Sequence, residues 1–302
     1  MSVIAVTGGT GFVGRHFLDL ALGSGHTLRA LTRRPQEPRD GVCWIEGDLG
    51  DTPALEKLCE GAGAVVHIAG AISAPDREGF AEANIAGTER MIAAAQAKGV
   101  RRFVHISSLA AREPDLSLYG WSKAGSEERV RESGLDWTII RPPAVYGPGD
   151  RETLELFKMA AKGRIILPPP GRISLIHVAD LCELIAAIVN AAGTIGALYE
   201  PDDRREGGLT HREFGEALGR AVGRKVRTYS MPAWLVRLAA RSDRLYRGKN
   251  AKLTPDRARY FCHPDWAVDP DRAPPADLWA PRYRDDDGLA QTANWYREKG
   301  WL

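Results

Sequence analysis

The sequence predicts an α/β fold built on a doubly wound parallel sheet, of the kind called Rossmann-type. Two observations carry this. Short β-branched runs alternate with helical stretches through the first half, and a glycine loop follows the first run and opens the first helix. Ser2–Thr7, Thr27–Thr32, Val42–Glu46, Ala64–Ile68, Arg102–Ser107 and Trp137–Arg141 read as strands. Phe12–Leu22, Pro53–Glu60, Phe80–Lys98 and Tyr119–Ser133 read as the helices between them. The rhythm breaks after Gly147-Pro148-Gly149. Helices are then expected at Glu152–Lys162, Val178–Asn190 and Gly288–Lys299, around a turn at Pro168-Pro169-Pro170-Gly171. Residues 1–150 thus form a first domain, rejoined by about 173–200. Residues 151–172 and 201–302 form a smaller α+β domain.

Composition bounds the function. The 302 residues carry 41 Lys and Arg against 39 Asp and Glu, a net charge of +2, which argues against a nucleic-acid binder. Cys43, Cys59, Cys182 and Cys262 are scattered, as are the seven histidines, so neither a disulfide framework nor a metal site is expected. Residues 1–7 are too short for a secretory signal and lack its basic stretch. No apolar run is long enough to span a bilayer, and a cytoplasmic location is expected.

The loop Thr7-Gly8-Gly9-Thr10-Gly11-Phe12-Val13-Gly14 carries the first chemical signal. One glycine makes the tight turn, one lets backbone approach a pyrophosphate, and one lets helix pack on strand. The helix N-terminus then offers free N–H groups to phosphate. The second strand ends in Thr32-Arg33-Arg34, with no acid before Glu37 to bind a ribose 2′-hydroxyl. Arg33, helped by Arg15, is therefore expected to bind the 2′-phosphate of NADP, with NAD as the other cofactor in play. Asp48 is placed to bond the adenine amino group or simply to close a turn.

Tyr119 and Lys123 stand four apart at the start of a helix and face the same way. Ser107-Ser108 ends the fifth strand, at the carboxyl edge where such sheets bind ligands. A tyrosine with its proton tuned by an ammonium and a serine that holds a substrate oxygen suit hydride transfer.

In order along the chain, the Thr7–Gly14 loop, Gly47-Asp48-Leu49, His67-Ile68-Ala69-Gly70, Asn84-Ile85-Ala86-Gly87-Thr88, Ser107-Ser108, Tyr119-Gly120-Trp121-Ser122-Lys123, Arg141 to Asp150 and Ile176-His177-Val178-Ala179-Asp180 resemble the extended short-chain dehydrogenase/reductase family, which includes the NAD-dependent epimerases and dehydratases. The tail, Gly288-Leu289 through Trp295-Tyr296-Arg297 to Trp301-Leu302, also resembles a family ending. The resemblance implies Tyr119 as acid-base, Lys123 as its partner on tyrosine and ribose, and Ser108 rather than Ser107 as the substrate-orienting serine. It implies cofactor contacts from Gly8, Thr10, Gly11, Phe12, Val13, Gly14, Asp48, Leu49, Ala69, Gly70, Pro142, Ala144 and Val145, with Asn84 structural or on the cofactor side. It also implies that the first domain binds the nucleotide and the second a small-molecule substrate. Relatives often dimerise through the helices at Phe80–Lys98 and Tyr119–Ser133.

Two departures narrow the substrate. Sugar-nucleotide members carry Asn where this chain has Ala144, and tend to carry Arg where it has Ile173. The pattern is nearer members that act on carbonyls of low polarity. The leading reading is an NADP(H)-dependent oxidoreductase. The alternatives are an epimerase or dehydratase that retains NAD, and a cofactor-binding assembly or regulatory protein without turnover.

Arg237, Arg241, Arg244 and Arg247 share one predicted helical face, with Trp234, Leu235, Leu238 and Leu245 largely elsewhere. An ordinary surface helix or a roof over an apolar pocket is expected there in preference to a membrane-surface helix.

Overall fold

The computed structural model describes residues 2–248 and 253–302; within them, the side chains of Arg244 and Asp285 are outside the description. The chain forms two compact units. The first holds Met1–Pro142, Leu181–Glu200 and Pro274–Ala280, and the second Pro143–Asp180, Pro201–Ala273 and Pro281–Leu302.

The first unit contains a seven-stranded, all-parallel sheet. Its strands are β1 (Val3–Thr7), β2 (Thr27–Thr32), β3 (Val42–Glu46), β4 (Ala64–His67), β5 (Arg102–Ile106), β6 (Asp136–Ile140) and a last strand from far along the chain, Ala197–Tyr199. Their order is Ala197–Tyr199, β6, β5, β4, β1, β2, β3. The order turns about β1, and crevices for ligands open at such switch points, at the carboxyl ends of strands. Parallel strands are covered on both faces and so read as continuous apolar runs rather than alternation. Accordingly all four residues of β4 are buried, as are the last four of β1.

The helices of this unit are α1 (Phe12–Gly23), α2 (Thr52–Cys59), α3 (Arg77–Phe80), α4 (Gly87–Ala97) and α5 (Leu118–Glu132). Asp51 caps α2 by accepting from Ala54 N–H, and Ser117 caps α5 by accepting from Gly120 N–H. Leu55, Leu58, Met91, Ala95, Val65, Phe103 and Ile139 form one buried core. The single helix expected over Phe80–Lys98 is three pieces, because a π-helical stretch at Ala81–Ala86 separates α3 from α4. Such wide turns concentrate at functional sites, and this one carries Asn84.

In the second unit Ala144–Tyr146 pairs in parallel with Leu175–His177, and Arg164–Leu167 with Arg227–Ser230. Phe157, Leu167, Leu218, Leu289, Ala293 and Tyr296 build its core. Tyr296 donates to the Asp150 carbonyl at 2.7 Å and stacks with Trp301, so the C-terminal helix Asp285–Glu298 and the residues after it are structural.

Candidate active site

The glycine loop is shaped by contacts that a side chain would destroy. Gly8 has φ +74°, and a Cβ there would lie 2.7 Å from the Ala69 nitrogen. A Cβ on Gly14 would lie 2.1 Å from the Gly8 carbonyl oxygen, so α1 starts hard against the loop. Gly11 caps α1 without a side chain, and the first turn carries no acid. The N–H groups of Phe12 and Val13 thus begin a helix whose own first turn supplies no carboxylate to its positive end. Thr10 lies within this turn. The loop, the helix end and the close approach of Ala69 fit a dinucleotide pyrophosphate.

Arg33 and Arg15 are exposed, and among the described residues neither is held in an ion pair. Thr32 Oγ fixes the turn at the end of β2 by donating to the Arg34 carbonyl at 2.7 Å. Asp48 uses one carboxylate oxygen to close a turn, accepting from Gly50 N–H at 2.7 Å. Leu49 packs where a Cβ on Gly87 would fall, 3.1 Å from its own Cβ, so it is a wedge between β3 and α4.

Asn84 ties the loop after β4 to α5. Its Oδ1 accepts from Ala71 N–H at 2.7 Å, and its Nδ2 donates to the Ala71 carbonyl at 3.0 Å and to Ser122 Oγ at 2.8 Å. Gly70 rests within this clamp, where an added Cβ would be 3.0 Å from Asn84 Oδ1 and 3.7 Å from Lys123 Nζ. Asn84 is therefore fully engaged in structure.

Ser108, Tyr119 and Lys123 come together at the carboxyl end of β5. Lys123 Nζ donates to the Ile106 carbonyl at 2.8 Å. Ser108 starts the short turn Leu109–Arg112, accepting from Ala110 N–H at 3.2 Å, and its hydroxyl is hydrogen-bonded to the Tyr119 phenol. Gly120 makes this seating possible, since a Cβ there would lie 2.6 Å from the Ala110 carbonyl oxygen. Pro142 joins the group through its carbonyl, which accepts from Leu109 N–H at 3.0 Å. Ala144 and Val145 lie in the second unit, paired with Leu175 and Ile176.

Burial dominates the electrostatics. It pushes the Tyr119 phenol up, and the Ser108 hydrogen bond offsets only part of that. Lowering of the tyrosine by its lysine, as read from the sequence, is not what this chain's side chains produce on their own. Burial also brings Lys123 down to about 8, against the pull of the Glu127 carboxylate. Beneath it, His67 and His105 stack with centroids 5.4 Å apart. His67 falls to about 3 through burial and the nearby Lys123 charge, and His105 falls well below its usual range.

The roles of three residues escaped the sequence reading. Thr7 holds the loop through its hydroxyl, bonded to His67 Nδ1 at 2.7 Å and to Ala69 N–H at 3.2 Å. Glu127, fully buried, accepts from Ser107 Oγ at 2.5 Å and from Arg141 at 2.8 Å through both of its oxygens. Arg141 reaches on to Glu200 at 3.2 Å. The signal for Glu127 was its place four residues after Lys123, one turn along the same face.

Comparison with known proteins agrees with this architecture. The chain is 38% identical to the ceramide reductase of Caulobacter vibrioides over 99% of its own length and 96% of that protein's. It is 30% identical to the 2-alkyl-3-oxoalkanoate reductase of Stenotrophomonas maltophilia, over 87% and 90% of the two chains. Among solved structures, MoeE5 in complex with UDP-glucose and NAD superposes with a TM-score of 0.77 at 21% identity, over 99% of both chains. The model of the NAD dependent epimerase/dehydratase family matches residues 4–199. The chain belongs to that family, as an enzyme of the NAD(P)-dependent oxidoreductase class related in sequence chiefly to reductases.

Proposed function

We propose that this protein is an NADP(H)-dependent reductase of a carbonyl compound of low polarity, with a ceramide-like lipid ketone as the substrate class. The observation that carries it is the convergence of Ser108, Tyr119 and Lys123 at the end of β5. Likeness to a ceramide reductase across 99% of the chain supports the substrate class. So do Ala144 and Ile173, apolar where sugar-nucleotide members carry polar groups.

The Thr7–Gly14 loop and the start of α1 would hold the pyrophosphate, and Arg33 the 2′-phosphate. Gly70 would give the ribose room, with Lys123 on its hydroxyls. The chemistry that a bound nicotinamide would supply is hydride donation to a carbonyl carbon. Tyr119 gives its proton to the carbonyl oxygen, which Ser108 holds. Burial keeps the Tyr119 phenol protonated at neutral pH, the form that donates. The Lys123 ammonium then steadies the phenolate left behind.

The test is NADPH oxidation with a long-chain keto-amide. Tyr119→Phe is expected to lower kcat by about 10²–10⁴-fold, as for loss of a general acid, with NADPH affinity kept. Unchanged turnover in Tyr119→Phe would overturn the mechanism.

A further inference from the structure

We infer that the helix Ala233–Arg247 is a docking surface for an anionic phospholipid bilayer, lying flat on it. This stands apart from the hydride-transfer reading and would survive its failure.

The helix buries Val236 and Ala240 against Ala258, with Met231, Leu253 and Cys262 around them. The face so used is narrow and made of small side chains. The large apolar residues point the other way. Trp234 is 65% exposed, Leu238 51%, Leu245 84% and Tyr246 88%. Trp234, Leu238 and Leu245 stand at intervals of four and seven, so they form one ridge along the outer side. Arg241 stands in the same ridge, Arg237 beside it, and both are exposed. The sequence sets Trp234, Leu235, Leu238 and Leu245 largely off the arginine face and favours a surface helix or pocket roof; here Trp234, Leu238 and Leu245 are exposed alongside Arg237 and Arg241. The core side of the helix is instead Val236 and Ala240.

An apolar ridge in water needs a cover, and charge identifies it. Residues 233–262 hold eight Lys and Arg against two Asp, a formal +6, whereas the whole chain is +2. The remainder of the molecule therefore carries −4. A strongly basic patch with exposed Trp, Leu and Tyr, on an otherwise acidic protein, is complementary to an anionic lipid surface. A second copy of this chain would bring the exposed Arg237 and Arg241 against the same two arginines at this face, which is repulsive. Arginine stems beside the ridge can lie on lipid while their guanidinium groups reach phosphate. Among the described residues no helix is long and apolar enough to cross a membrane, so contact at the surface is the geometry on offer.

The experiment is co-sedimentation of the full-length protein with vesicles, either phosphatidylcholine alone or phosphatidylcholine mixed with phosphatidylglycerol. Binding is expected to the anionic vesicles, to weaken with salt, and to be weak or absent on the neutral ones. Arg237→Glu with Arg241→Glu is expected to lower partitioning by at least about tenfold. Leu238→Ser with Leu245→Ser, both at exposed positions, is expected to do the same without altering the circular dichroism spectrum. The inference is overturned if neither vesicle binds, or if both variants bind as well as the unaltered protein. It is equally overturned if Leu238→Ser dissolves a dimer seen by size exclusion while no vesicle binds. That outcome would make the ridge a contact between copies.

Discussion

Arg33 follows the last residue of β2, exposed and outside any ion pair among the described residues. A guanidinium in that condition gives up water but no protein ion pair when it meets a phosphate. Arg33→Asp is expected to weaken NADPH binding by about 2 kcal/mol while leaving NADH binding nearly unchanged or slightly improved. Isothermal titration with both cofactors reads this directly, and equal affinities in the unaltered protein would remove Arg33 from the role. Singly placed residues of this kind were legible in the sequence because strand ends announce themselves. Asp48 was legible as an acid in a turn, which the 2.7 Å bond from Gly50 N–H bears out. The bonds of Glu127 and Thr7 were not legible, although the place of Glu127 one turn after Lys123 was. Their partners, Arg141 just after β6 and His67 in β4, lie 14 and 60 residues away along the chain, and no local pattern reports such a contact.

At the scale of elements, α1 depends on the absence of a side chain at one position. A Cβ on Gly14 would need the Gly8 carbonyl to move, and the Gly8 carbonyl also accepts from Gly11 N–H at 2.9 Å. Gly14→Ala is therefore expected to destabilise the protein by about 1–3 kcal/mol and to abolish tight NADPH binding. Gly23, at the far end of the same helix, has nothing within 4 Å of its added Cβ. Gly23→Ala is expected to be neutral, or to stabilise by up to about 1 kcal/mol through helix propensity. Thermal melts of the two variants, with and without NADPH, separate a packing requirement from a general dislike of substitution in α1. Most element boundaries could be read from periodicity, since β-branched runs and capped helices are local facts. The π-helical turn at Ala81–Ala86 could not, because it is fixed by Asn84 reaching Ala71 and Ser122 in other elements. Nor could the strand Ala197–Tyr199, three residues whose pairing with β6 is decided wholly by register.

For the molecule as a whole, the buried imidazoles are expected to lower its stability in acid. His67 has a folded value of about 3, below the unfolded 6.5. A depressed value means the native state binds fewer protons than the unfolded chain across that window. Stability is then complete above pH 6.5 and is lost as the pH falls toward 3. His105 acts in the same direction. Between pH 6.5 and 4.5, His67 alone is expected to remove about 2 kcal/mol. Urea unfolding at the two pH values reads the loss, and His67→Gln is expected to reduce the slope even if it lowers the stability at pH 7. An unchanged slope in that variant would mean that His67 is protonated or exposed in the native protein.

The strand Ala197–Tyr199 also bears on the order in which the protein can be made. It closes the edge of the sheet beside β6, yet it leaves the ribosome more than fifty residues after β6 does. During that interval β6 is an open edge, its buried Thr138, Ile139 and Ile140 next to unpaired backbone N–H and C=O groups. The nascent chain is therefore most prone to pair with a neighbour while the second unit is still being synthesised. A fragment ending at Pro142 would carry all of Ser108, Tyr119 and Lys123 and still keep that edge for as long as it existed.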